Sequence, residues 1–267
     1  MKANVLVYVS SAQAVPLCEG GKQPVGVFLG EVTETLEPLL GAGYSLFFVS
    51  PDGKEPHIDR QSYRLRYWGF SKKRLKNALA FYEKLKDLGI ERPMKLKDLL
   101  AAEGGLKRYD ALFVPGGHAP MTDILFKNWL EGEELNEETG ILLSHFHKEQ
   151  KPTALICHAP SVLAAAPDVN GEWIYKDYKM TCITMVSEHL VEDVPGLKTM
   201  RGHMPDYPEQ ILKRKGAKLK QVYIPLISNV VEDRELITGQ DPYAARELGQ
   251  KLKRKIEKYL ESRAKIR

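Results

Sequence analysis

Cys157-His158 stands between a short apolar run, Thr153 to Ile156, and a stretch of small, helix-forming residues that opens with Pro160. The run has the length of a buried strand in a parallel sheet. Pro160 suits the first turn of a helix, where a missing N–H is no loss. The spacing therefore predicts a strand-to-helix corner with almost no loop and a thiol set on it. Such a thiol faces the positive end of a helix and its free N–H groups, which favour the thiolate. The N–H that follows can donate to an oxyanion, as in other nucleophile elbows. A plainer reading makes Cys157 a small core hydrophobe, since free cysteine is often buried.

Other reactive types stand where strand ends could bring them together. Tyr109 to Val114 predicts a strand that runs into Gly116-Gly117. Two glycines allow close backbone approach and expose N–H groups on the ligand-binding rim of an open sheet. Glu31 falls at the start of a helix, and Glu188 lies just beyond a strand predicted at Lys179 to Thr184. A carboxyl at Glu31 near the thiolate would meet negative charge and desolvation, and both favour its protonated form. Each acid also has a bland reading: Glu31 as a solvated first-turn residue, Glu188 as a surface acid. His158 is next to Cys157, and neighbouring side chains often diverge, so orienting a group or activating water stays open beside serving as the thiol's base. His145 and His147 share a helix with no carboxylate pattern and are expected to be structural or exposed.

The elements that must position these groups alternate. Asn4 to Ser10 predicts a first strand, followed by a long loop over Ser11 to Pro24. A helix through Val32, Leu36 and Leu39 stops at Gly41 and Gly43, and Ser45 to Ser50 supplies the next strand, making a βαβ unit. Residues 54–108 break the alternation and read as a helical insert, with basic helix Ser71 to Leu88 and short helix Leu96 to Ala102. Helices are expected at Thr122 to Trp129 and Glu133 to Lys148. Late strands follow within Gly216 to Ile224 and Asn229 to Gly239, the latter turning at Glu232-Asp233. A basic helix runs from Pro242 to about Ser262.

Composition narrows the function. At 267 residues, with 43% hydrophobic and 28% charged, the chain can bury a full core, and no linker or repeat divides it. The net charge of +4 gives no case for nucleic acid. The basic runs Lys72 to Arg74 and Lys251 to Lys255 read as solvated faces. Three widely spaced cysteines argue against a disulfide framework and for a reducing compartment. The N-terminus reads as a strand rather than a signal peptide, and no apolar run spans a membrane. A soluble cytoplasmic protein is expected.

Taken together, Gly26 to Glu31, Phe48 to Gly53, Val114 to His118, Ile156 to Pro160 and Leu236 to Pro242 resemble segments of the PfpI-type intracellular protease superfamily. Within it the chain is most similar to the heat-shock chaperone-like branch of glutathione-independent glyoxalases, the glyoxalase III type. The resemblance implies one class I glutamine amidotransferase-like domain over residues 1–267. It also implies an α/β, flavodoxin-like three-layer sandwich with a mostly parallel central sheet and the small helical insert at about 54–108. By it Cys157 is the nucleophile, Glu31 the acid beside it, and His158 with Glu188 completes a triad. Gly116 and Gly117 bind substrate. The implied activity converts methylglyoxal and similar 2-oxoaldehydes to lactate and other 2-hydroxy acids through a cysteine hemithioacetal, with no metal and no cofactor. Deglycation of protein or nucleotide shares the same site logic. A stress-related holding chaperone or cysteine redox sensor is the alternative, and a cysteine peptidase or amidase the third. A homodimer is implied. Two departures, Ala159 and Ala119 where glycine is usual, are expected to narrow the pocket or change the substrate.

Overall fold

The computed structural model describes residues 2–224 and 227–266. Seven strands make the central sheet: β1 (Asn4–Tyr8), β2 (Ser45–Ser50), β3 (Met94–Lys95), β4 (Ala111–Val114), β5 (Thr153–Ile156), β6 (Val230–Asp233) and β7 (Leu236–Gly239). Their order is β6-β7-β5-β4-β1-β2-β3. Every pair is parallel except the β6–β7 hairpin.

Side chains that alternate along β1 build the layers. Val5 and Val7 face one core with α1 (Leu29–Gly41), α2 (Lys72–Asp87) and α7 (Ala245–Ile266). Leu6 and Tyr8 face the other, with α3 (Leu96–Ala101), α4 (Glu137–Lys148) and α6 (Pro208–Arg214). Nearly continuous apolar strands follow from covering both faces. The result is an α/β fold with a mixed, largely parallel sheet between two helical layers, a flavodoxin-like three-layer sandwich. Among the described residues, no helix is long and apolar enough to cross a membrane.

The 54–108 segment joins this frame closely. It sends β3 to the sheet edge beside β2 and lays α2 against α1, where Arg74 Nη2 lies 2.6 Å from Glu34 Oε1. Buried Trp68 packs against Gly30, in the first turn of α1.

Several elements differ from expectation. Thr122 to Trp129 is not a helix; Met121–Leu125 forms one π-helical turn, held to its surroundings by Asp123. The loop over Ser11 to Pro24 folds back as a hairpin of Ala14–Pro16 with Lys22–Pro24. The residues after the elbow form a 3-10 stretch, Ala159–Ala165, rather than an α-helix. Of the strands expected at Lys179 to Thr184 and within Gly216 to Ile224, only Lys179–Met180 and Lys218–Leu219 form, and they pair with each other. The hairpin turn falls at Arg234-Glu235, with Arg234 at φ 53°, because polar Glu232 and Asp233 are tolerated in the edge strand β6.

Candidate active site

Cys157 directly follows β5, and the ladder persists one step beyond it: the Cys157 N–H donates to Gly239 O at 2.9 Å. Its φ of 63° is unusual for a residue with a side chain. This reversal aims the chain back into the 3-10 stretch and is the sharp elbow that the sequence predicts. The Ile183 N–H donates to Cys157 O at 2.9 Å, which ties the approach to α5 (Met185–Glu192) to the elbow. Thr184 then caps α5 by accepting from the Ser187 N–H, and Glu188 falls in the first turn.

All four reactive side chains meet here. Cys157 Sγ lies 3.2 Å from His158 Nδ1, so these sequence neighbours do not diverge. His158 Nε2 lies 2.9 Å from Glu188 Oε1. Glu188 is buried, not a surface acid, and Glu31 is fully buried rather than solvated. The Gly116 N–H donates to Glu31 Oε2 at 2.9 Å. A Cβ on Gly116 would come within 2.5 Å of that oxygen and 2.3 Å of Ile156 O, so only glycine fits there. Gly117, at φ 86°, lines the cleft above the thiol, while Gly116 lies outside that lining.

The electrostatics change one expectation. Cys157 is not poised as a thiolate: burial, then the Glu31 and Glu188 carboxyls, push its thiol well above the usual range. No α-helix follows to offset this. Burial likewise raises Glu31 to about 8. Burial would also raise Glu188, but His158 and His118 hold its carboxylate well below the usual range. Burial alone would lower His118, yet its contact with Glu188 outweighs this and raises it. Burial and neighbouring His118 keep His158 low against the pull of Glu188. The site thus favours a protonated thiol, a protonated Glu31 carboxyl, a neutral His158 imidazole and a Glu188 carboxylate facing His118.

Sequence reasoning named His118 without assigning it a task. Its ring lies 3.9 Å from that of His158, and its Nε2 is 3.4 Å from Glu188 Oε2. The available signal was its place just after β4, on the same sheet rim as the elbow. The same rule points to Asp241, two residues beyond β7, whose carboxyl burial raises to about 6. Arg66 and Tyr67, from the 54–108 segment, had no such signal but form part of the cleft wall.

The cleft has a volume of about 530 Å³ and is walled largely by apolar and aromatic groups, among them Phe28, Tyr67, Ile183 and Tyr243. Ala159 and Ala119 do not narrow it: both are fully buried in the core on the α4 side, outside the lining. His147 is remote from the cleft and pairs structurally, with Nδ1 2.8 Å from Glu235 Oε1. His118, His158 and Glu188 gather ligand atoms of the kind that hold a metal, all within 4.8 Å of one another.

Comparison with known proteins gives the family and supports the fold. The DJ-1/PfpI family signature matches residues 94–255. A protein/nucleic acid deglycase of Escherichia coli is 25% identical over 253 residues, covering 93% of this chain and 79% of that protein. The crystal structure of a rapid encystment protein from Francisella tularensis superposes with a TM-score of 0.70 at 24% identity, covering 96% of this chain and 99% of the other. Glyoxalase III from Candida albicans superposes with a TM-score of 0.67 at 18% identity, covering 94% and 97%.

Proposed function

Since the chain belongs to the DJ-1/PfpI family, we propose that it is a cysteine-dependent enzyme that converts methylglyoxal and similar 2-oxoaldehydes to 2-hydroxy acids and releases the same aldehydes from glycated protein or nucleotide. The name of the Escherichia coli relative supports the second substrate class. The observation that carries the reading is the buried Glu31 carboxyl, still protonated near neutral pH, beside the buried thiol. A peptidase needs a nucleophile, a base and an oxyanion hole; an aldehyde isomerisation needs in addition an acid that can return a proton to carbon.

In this mechanism the Cys157 thiol passes its proton to His158 Nδ1 as sulfur attacks the aldehyde carbon. The imidazolium that forms is stabilised by the Glu188 carboxylate. N–H groups of Gly117 and His158 hold the oxyanion, and Glu31 gives it a proton. The resulting Glu31 carboxylate takes the hydrogen from the hemithioacetal carbon while the His158 imidazolium gives its proton to the second oxygen, leaving an enediol and a neutral imidazole. Glu31 then returns the hydrogen to the adjacent carbon and takes up the proton of the first oxygen. The product is a thioester on Cys157. Water, losing a proton to neutral His158, cleaves it to the 2-hydroxy acid and the free thiol. No outside reductant or oxidant enters, because one carbon is oxidised as its neighbour is reduced. Gly116 acts by holding Glu31.

Lactate formation from methylglyoxal without glutathione tests this. The wild type is expected to turn over, and Cys157→Ser to lose at least ~10³-fold. Turnover that survives Cys157→Ser removes the covalent route. A wild type inactive on small oxoaldehydes and glycated substrates moves a second reading forward, that of a holding chaperone. That reading draws on exposed apolar side chains at the cleft mouth, with Tyr223 58% and Ile224 62% exposed.

A further inference from the structure

Besides Glu31 Oε1, the buried atoms of the catalytic groups that fall outside hydrogen-bond geometry among the described residues are His118 Nε2, His158 Nε2 and Glu188 Oε2, which belong to one cluster of groups within ion-pair distance. Buried polar groups without partners are uncommon and call for an explanation. They come from three separate elements: the turn after β4, the elbow after β5, and the first turn of α5. The imidazole nitrogens stand 3.4 Å and 2.9 Å from the two oxygens of one carboxylate. Ligands about 2.0–2.1 Å from a tetrahedral zinc ion lie about 3.3 Å from one another. The three ligand atoms lie within 4.8 Å of one another, wider than that spacing but within reach of one small cation by side-chain rotation. Two imidazoles and a carboxylate suit a borderline divalent transition metal rather than magnesium or calcium.

We propose that His118, His158 and Glu188 form a zinc-type metal site whose occupancy switches the thiol chemistry off. The switch follows from the tautomer. A neutral imidazole that binds metal through Nε2 carries its proton on Nδ1. His158 Nδ1, 3.2 Å from Cys157 Sγ, can then no longer accept the thiol proton. The metal also takes Glu188 away from the imidazolium that the reaction must form. Cys157 Sγ is not among the gathered donors, so it is not required as a ligand. The switching half of the proposal rests on the aldehyde chemistry above; the binding half does not.

Zinc binding to the full chain, read by competition with a chromophoric chelator, tests the site without any turnover. Wild type and Cys157→Ser are expected to take up one equivalent tightly. His118→Asn and Glu188→Gln are each expected to weaken uptake at least ~100-fold. No tight uptake by the wild type overturns the proposal. So does uptake that both variants retain, which would place the ion elsewhere, for instance at the exposed His203, Glu19 and Asp193 group. Where the protein turns over methylglyoxal, one equivalent of zinc is expected to suppress it at least ~10-fold, with chelator restoring it; full turnover by the loaded protein overturns the switch. A protein that binds zinc as expected but never turns over leaves the metal site standing and counts against the aldehyde reading alone.

Discussion

Buried Glu31 keeps its proton up to about pH 8, whereas a solvated glutamate releases it near 4.5. Between those values the folded protein holds a proton that the unfolded chain has lost, so stability falls as pH rises through the window. The slope from this one group is at most about 1.4 kcal/mol per pH unit. Glu31→Gln keeps an acceptor for the Gly116 N–H and removes the titration. Its melting temperature, relative to wild type, is expected to climb between pH 5 and pH 8.5 as an approximate range set by that window. A constant difference across that range would show that Glu31 is ionised in the folded state. Glu188 behaves oppositely. Its carboxylate faces two histidines, and Glu188→Gln is expected to lower any aldehyde turnover by roughly 10²-fold or more, the usual scale for an acid–base partner. Wild-type turnover in that variant would detach Glu188 from the reaction.

Two elements are held at this site by backbone fit. Gly116→Ala is expected to destabilise the fold by about 3 kcal/mol, the upper part of the overpacking range, because its Cβ would strike Ile156 O and the Glu31 carboxyl. Chemical denaturation measures this, and an unaffected midpoint would mean that the loop can move aside. At this scale the sequence was most legible where periodicity and burial agree. Val32, Leu36 and Leu39 repeat along α1, and Thr153 to Ile156 has the length and apolar character of the buried strand it forms. The stretch after Cys157 was less legible. Its small residues suit an α-helix, but complete burial against α4 and α6 holds seven residues in a tighter 3-10 form. The thiolate expectation failed for the same reason. Burial depends on tertiary packing around Cys157, which neighbouring residues in the sequence do not encode. His118 escaped assignment because its partner, Glu188, lies far along the chain, and only the β4 and α5 ends bring them within 3.4 Å.

At the scale of the molecule, the sheet places its C-terminal strand ends under a cleft with an apolar mouth. Apolar side chains also remain exposed nearby in sequence, at Val194 and Ile227, outside the cleft lining. A holding role would need such surface. Val194→Ser with Ile227→Ser is expected to weaken suppression of client aggregation while leaving aldehyde turnover at the wild-type level; unchanged suppression would separate this surface from any chaperone role. The homodimer implied by the family resemblance is proposed on the same apolar ground, since a second copy could cover part of it. The central claim, that Cys157 takes the aldehyde covalently and Glu31 moves it onward, is tested most directly by alkylation in the Glu31→Gln protein. There sulfur can still add to the aldehyde, with His158 returning the thiol proton to the oxyanion, but the adduct cannot advance. Methylglyoxal is predicted to protect Cys157 from iodoacetamide, read by peptide mass mapping, at concentrations that leave exposed Cys18 open to alkylation. Equal alkylation of Cys157 with and without methylglyoxal would contradict the account.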